Sequence, residues 1–232
     1  MPSQIDAVLL AAGESTRMGQ PKAVLPWAGR PLLVYQIEQL LASPVGRVAV
    51  VLGHRAADLR PLLPVDPRLT VVENRQYRSG KVSSIVAGLR ALASQLGGDR
   101  ANQTGRHVLI LGVDQPRPAQ LITQVAAAHL ASQLGGGAPV TVAGYGGRRG
   151  HPVLFAPALR DELFGIDEAT QGLRAVLQRH RAEVRVCETG SPLALANLNT
   201  PEDYEAALRL VNTGQPSQAF ANVTWSARAG NQ

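Results

Sequence analysis

The residues best suited to chemistry gather first in residues 5–22, IDAVLLAAGESTRMGQPK. An apolar run containing Val8, Leu9 and Leu10 meets the small residues Ala11, Ala12 and Gly13. The polar stretch that follows carries Arg17 and closes on Lys22. This pattern reads as a buried strand emptying into a loop. Gly at the junction opens the main chain to close approach, and successive backbone N–H groups there can form a concavity for an anion. Arg17 adds a planar fork and Lys22 a compact point charge, so the loop suits a phosphate chain. Its Gly spacing is neither that of a Walker P-loop nor that of a dinucleotide fingerprint.

Asp114 is the next candidate, in Val113-Asp114-Gln115-Pro116 after the apolar run HVLILG. A carboxylate there either holds Mg²⁺, which takes few protein oxygens and the rest from phosphates and water, or caps a helix or turn. Asn199 precedes Thr200-Pro201-Glu202-Asp203, a helix start with Thr as N-cap, Pro at N1 and acids in the first turn. By residue type alone Asn199 reads as a turn residue. The stretch 74–84, NRQYRSGKVSS, puts Asn74, Ser83 and Ser84 around a helix start, where such groups serve an anion, a base or the cap itself. His151 follows Arg148 and Arg149 in GRRGHPVLF and either orients its loop or, beside two arginines, faces an anion. His54, His107, His129 and His180 have no mutual spacing that suggests zinc.

These residues need elements to position them. Residues 30–43 place Leu33, Ile37, Leu40 and Leu41 on one helical face, with Pro31 in the first turn. Strands are expected at 47–53, 69–73 and 107–112, with helices at 54–63, 82–96 and 118–134. The last puts Leu121, Ile122, Val125, His129 and Leu130 on one face. Alternation of strands with helices argues an α/β, Rossmann-like, mainly parallel sheet with helices on both faces, in a single domain. Ligands in such sheets lie beyond the strands' carboxyl ends, so Gly13, Gly53, Asn74 and Asp114 should share one rim. The second half is expected to hold short strands at 139–143 and 152–155 around a loop at 144–151. Helices near 158–164 and 171–181, a strand at 184–187 and a helix ending near Val211 complete it. Residues 213–232 are polar and aperiodic and read as a disordered tail after a domain of residues 1–212.

At 232 residues, 45% apolar and 17% charged, the composition is that of an ordinary globular chain. No run suffices to span a bilayer, and the N-terminus lacks a signal core, so a cytoplasmic protein without a membrane partner is expected. Cys187, the single cysteine, fits a reducing compartment and reads as a half-buried strand residue. A net charge of +6 raises nucleic-acid binding, but scattered basic residues and 4% aromatics supply no stacking platform. Among 23 basic residues only Lys22 and Lys81 are lysines, and one of them closes the phosphate loop.

LAAGESTRMGQPK resembles the LAAGxSxRMGxxK signature of the molybdenum-cofactor cytidylyl- and guanylyltransferases, the MobA-like NTP transferases. VDQP, GRRGHPVLF and NLNTPEDY match the family's later motifs in order. The resemblance implies a nucleotide-diphospho-sugar-transferase-like fold. It implies transfer of CMP from CTP, or of a nucleotidyl group from GTP, to a phosphate-bearing acceptor such as molybdopterin, with release of pyrophosphate and a molybdoenzyme as a partner. It assigns Leu10, Ala11, Ala12, Gly13, Lys22, Gly53, Asn74, Ser83 and Ser84 to the nucleotide, Lys22 and Arg17 to catalysis, and Arg148, Arg149 and His151 to the acceptor. It assigns Asp114 and Asn199 to Mg²⁺, although the cytidylyl branch typically has Asp where this chain has Asn197 and Asn199. Ala12 favours CTP, because its Cβ takes space a purine needs, while the Asn pair points to the guanylyl branch. A sugar-phosphate transferase of the same fold and a molybdenum-cofactor-binding chaperone are the other expectations.

Overall fold

The computed structural model of the chain describes residues 4–94 and 105–212. Its centre is β1 (Ile5–Ala11), every residue of which is buried. Alternate side chains of β1 enter opposite layers, as the two-residue period of a strand requires. Ile5, Ala7 and Leu9 join one apolar cluster. Val8 and Leu10 join the other. The first layer is closed by α1 (Leu32–Leu41), which buries Leu33, Ile37 and Leu40, and by α4 (Ala119–Gln133), which buries Leu121, Ile122, Val125 and His129. The second is closed by α3 (Lys81–Ser94), with Ile85, Leu89 and Leu92 buried, and by α5 (Arg160–Phe164) and α6 (Leu173–Arg179). Each large aliphatic side chain removed from water contributes about 1.5–3 kcal/mol.

Seven strands form the sheet in the order β5-β4-β1-β6-β8-β7-β9. The other six are β4 (Arg47–Leu52), β5 (Leu69–Glu73), β6 (His107–Gly112), β7 (Val140–Tyr145), β8 (Arg148–Phe155) and β9 (Val184–Glu188). All pairings are parallel except those of β8 with β6 and β7. The carboxyl ends of β1, β4, β5 and β6 therefore open on one rim, and antiparallel β8 delivers its first residues to the same edge. The α/β fold expected from the alternation is the one found. Among the described residues no helix is long and apolar enough to cross a membrane.

Three boundaries differ from expectation. Pro31 is not in the first turn of α1: Arg30–Pro31 forms β3, paired with β2 (Pro26–Trp27) across a turn at Ala28 and Gly29, both with φ > 0. The 54–63 helix divides into α2 (Ala56–Leu59) and a 3₁₀ turn, Arg60–Leu62, where Pro61 lacks the N–H to continue α-helical bonding. Most of the expected loop at 144–151 is strand, because Gly146 (φ 58°) and Gly147 (φ 74°) supply the left-handed pair of a two-residue hairpin turn. Helix α7 (Pro201–Asn212) starts as expected, with Asp203 N–H donating to Thr200 Oγ1. The end of the expected 82–96 helix and the 213–232 tail lie outside the described residues.

Candidate active site

The loop after β1 is shaped by local bonds and by a few buried anchors. Ser15 adopts a left-handed conformation, its carbonyl accepts from Met18 N–H (2.9 Å), and its hydroxyl accepts from Lys22 N–H (3.0 Å). Met18 is buried and anchors the turn, while Ala23, Leu25 and Trp27 fix the chain just beyond Lys22. Lys22 is thereby held at the rim. Arg17, on the same turn, is exposed and does not reach the cavity below. Glu14 ties the loop to the turn Tyr77–Ser79 through Arg78 (2.8 Å), which holds its carboxyl below the usual range.

That cavity, about 310 Å³, is walled by Leu10, Ala12, Gly13, Lys22, Ser84 and Asp114, with Tyr77 and Lys81 at its side. A Cβ on Gly13 would meet nothing within 4 Å, so its main chain faces open space where a ligand can approach. Gly53 is required for a different reason: a Cβ there would lie 2.8 Å from Ala12 Cβ, Ala12 O and Tyr77 Cβ. Asn74 is buried, and its amide nitrogen donates to Ser83 Oγ (2.9 Å) and Ser84 Oγ (3.0 Å) while its oxygen accepts from Gln76 N–H. Ala11, Gly53, Asn74 and Ser83 thus stand behind the cavity wall rather than on it.

Lys22 Nζ donates to Asp114 Oδ2 and to Asn199 Oδ1, each at 3.1 Å. Two oxygens 85 residues apart in sequence converge on one cation because two loops are stitched together. Leu198 N–H donates to Asp114 O (2.8 Å), and Gln115 Nε2 donates to Asn197 Oδ1 (2.8 Å). Asp203 Oδ2 accepts from the N–H groups of Asn199 and Thr200, so Asn199 is also pinned to the start of α7. A carboxylate and an amide oxygen aimed at one positive point fit a hard divalent cation that completes its shell from phosphates and water. Among the described residues no group of three or more His, Cys, Asp or Glu could hold a metal ion by itself.

Arg117 underlies this arrangement and was not singled out by the sequence. It is fully buried, donating to the carbonyls of Pro116, His151, Ala194 and Ala196. Burial pushes its guanidinium down to about 9, still protonated at neutral pH. Gln36 of α1, also buried, accepts from Arg117 N–H and donates to the carbonyls of Gly112 and Gln115. A Gln on the apolar face of a helix was the available signal for this network.

A second cavity, about 620 Å³, adjoins the first. Val82, Ile85, Val153 and Phe155 give it an apolar wall, and Lys81, Gln115, His151, Glu168, Gln171 and Arg174 give it polar groups. His151 lies on this wall, with its imidazole held down to about 4 by burial and by the nearby Arg117 and Lys81 charges. It is therefore neutral, and its buried Nδ1 has no hydrogen-bond partner among the described residues. Arg148 and Arg149 are exposed on the outer part of β8 and line neither cavity. Glu168, Gln171 and Arg174 come from a segment without a recognisable motif.

Comparison with known proteins accords with this geometry. The MobA-like NTP transferase domain family matches residues 7–184. The chain is 31% identical to nicotine blue oxidoreductase of Paenarthrobacter nicotinovorans over 75% of its own length and 82% of that protein. It is 32% identical to the molybdenum cofactor guanylyltransferase of Rhizobium meliloti over 87% and 89% of the two chains. Against the molybdenum cofactor cytidylyltransferase of Escherichia coli, 32% identity extends over 40% of this chain and 48% of that one. The manganese complex of Rv0371c from Mycobacterium tuberculosis shares the fold, with a TM-score of 0.65, 22% identity and coverage of 89% and 98%. The chain belongs to the MobA-like NTP transferase family and is a nucleotidyltransferase.

Proposed function

We propose that the protein transfers CMP from CTP to a phosphate on a molybdopterin-type acceptor and releases pyrophosphate. The observation that carries this reading is the convergence of Lys22, Asp114 and Asn199 beside Gly13, at the edge of one cavity and next to a second, larger one. The smaller cavity takes the nucleotide, with its phosphates against the Gly13 main chain. The larger one takes a flat, partly apolar acceptor against Val82, Val153 and Phe155, beside the neutral His151.

An acceptor phosphate is already charged at neutral pH, so no protein base is needed. The residues act by positioning and by stabilising charge as it develops. Lys22 places its ammonium where negative charge grows on the α-phosphate, and Ser15 holds the lysine backbone in place. Asp114 and Asn199 would hold Mg²⁺, which when bound neutralises phosphate charge. Lys22 then directs its charge from these oxygens to the nucleotide. Ala12 supports the choice of CTP, since its side chain narrows the smaller cavity.

The guanylyltransferase match across most of the chain, together with Asn197 and Asn199, favours GTP as the second reading. Pyrophosphate release with CTP, GTP, ATP and UTP, each with and without molybdopterin and Mg²⁺, separates them. Release with CTP and molybdopterin together is expected. Release with GTP alone among nucleotides supports the second reading. Release only when a sugar phosphate replaces molybdopterin would reassign the acceptor. Silence from folded protein would contradict the transferase assignment and favour a cofactor-carrying role or the redox activity named for the Paenarthrobacter relative.

A further inference from the structure

The two cavities have Gly112 and Lys81 in common, and among the described residues Lys81 is the charged side chain on both walls. We propose that Lys81 binds the acceptor's phosphate at this junction and presents one of its oxygens to the α-phosphorus of the nucleotide. The proposal rests on the transferase reading above. In the step it serves, a new P–O bond forms between the acceptor phosphate and the α-phosphorus. The bond from the α-phosphorus to its bridging oxygen breaks, and that electron pair leaves with pyrophosphate.

In-line attack requires the nucleophile and the leaving group on opposite sides of the α-phosphorus, so the acceptor phosphate has to stand where the cavities meet. Two polyanions brought together there repel unless a cation lies between them. Lys22 is already shared between Asp114 and Asn199. Lys81 is exposed and has no ion pair among the described residues.

Its place in the chain is electrostatically costly. Lys81 opens the 14-residue helix α3, where the positive end of the dipole disfavours a cation. The helix end itself is not the anion site, because Val82 N–H already donates to Glu168 Oε2 (2.9 Å). The Glu168 carboxylate packs so tightly there that a Cβ on Gly80 would fall 2.4 Å from it. Glu168 and Arg174 both lie on the wall of the larger cavity alone, whereas Lys81 lies on both walls, which makes its ammonium the place for a phosphate that must reach the nucleotide. The sequence otherwise relies on arginine for basic charge, yet both of its lysines line the smaller cavity. A compact, mobile ammonium suits a phosphate that must reorient to attack, whereas a planar fork would hold it bidentately.

The test compares the wild type with Lys81→Met and Lys81→Arg in pyrophosphate release, varying molybdopterin at saturating CTP and CTP at saturating molybdopterin. Equilibrium binding of molybdopterin to each protein is read by fluorescence. Lys81→Met is expected to raise the molybdopterin KM and dissociation constant by about 10- to 100-fold, the effect of losing one charge-assisted hydrogen bond. The CTP KM is expected to stay within about twofold, and Lys81→Arg to recover part of the acceptor affinity. Unchanged acceptor affinity in Lys81→Met, or equal loss for CTP and acceptor, would overturn the proposal while wild-type turnover leaves the transferase reading standing. A wild type that binds molybdopterin but releases no pyrophosphate with any nucleotide would overturn both.

Discussion

Replacing Lys22 with methionine should separate two quantities that usually fall together. The unbranched side chain fills much of the same space, and the lysine side chain is 13% exposed, so the fold should tolerate the change. Loss of the ammonium removes one preorganised charge from the transition state, worth about 3–4 kcal/mol, so kcat should drop by about 10²- to 10³-fold. The metal should respond in the opposite direction. In the free protein the Lys22 ammonium occupies the point on which Asp114 and Asn199 converge, at 3.1 Å from each oxygen. A divalent cation competes with it for the same oxygens. Removing a charge-assisted hydrogen bond of about 1.5 kcal/mol should therefore tighten Mn²⁺ or Mg²⁺ binding to the nucleotide-free protein by roughly tenfold. Mn²⁺ titration followed by electron paramagnetic resonance, paired with steady-state pyrophosphate release, reads both effects. A variant with normal kcat and only a raised KM would refute the catalytic role of Lys22. Weakened metal binding in the free variant would refute the competition.

Three further outcomes follow from the packing. Gly53→Ala should raise the nucleotide KM and cost about 1–3 kcal/mol, because the new Cβ meets Ala12 and Tyr77 at 2.8 Å; a normal urea midpoint and KM would contradict this. Arg117→Met should destabilise by about 3–5 kcal/mol, since four carbonyl groups, two of them buried, lose their donor, with the loss read as a lowered denaturation midpoint and reduced turnover at permissive temperature. Acid should unfold the protein early. His129 is held down to about 4 by burial and by neighbouring His107, and it shares hydrogen bonds with His107 Nδ1 (3.0 Å) and Thr141 Oγ1 (2.8 Å). The unfolded chain binds this proton near 6.5 and the native one only near 4, so the stabilisation is complete above about 6.5 and is lost as pH falls towards 4. His129 alone accounts for about 3 kcal/mol, and a urea midpoint that stays flat between pH 7 and 4.5 would contradict it.

The sheet was legible wherever an apolar run met a clear turn. Leu69–Glu73 and His107–Gly112 were expected at the bounds they occupy, because each is a short apolar run bounded by polar or turn residues, the second fully buried and the first a half-buried edge strand. The Gly146–Gly147 turn was not, since a glycine pair marks a wide loop and a tight hairpin alike, and only the backbone φ values distinguish them. Of the four residues expected to share one rim, Gly13 and Asp114 line the smaller cavity, while Gly53 and Asn74 stand behind its wall. Residue type alone could not give direction: Arg17, Arg148 and Arg149 have the charge for phosphate but are exposed away from both cavities. The supporting groups were hidden for the converse reason. Arg117 looks like a surface residue in the sequence, and its burial follows from carbonyl groups that only the folded loops bring around it; Gln36, on the apolar face of its helix, was the one hint of the network. Half-buried Cys187 on β9 is as expected, its thiol pushed up by burial.

The most direct measurement follows the label from [α-³²P]CTP with Mg²⁺ and molybdopterin, in the wild type and in Asp114→Ala. In the wild type, label should appear in a covalent CMP–acceptor product with pyrophosphate released in equal amount. It should remain in CTP in Asp114→Ala protein shown to be folded. Label that stays in CTP in the wild type with every acceptor, or undiminished product from Asp114→Ala, would contradict nucleotidyl transfer at the Lys22–Asp114–Asn199 site.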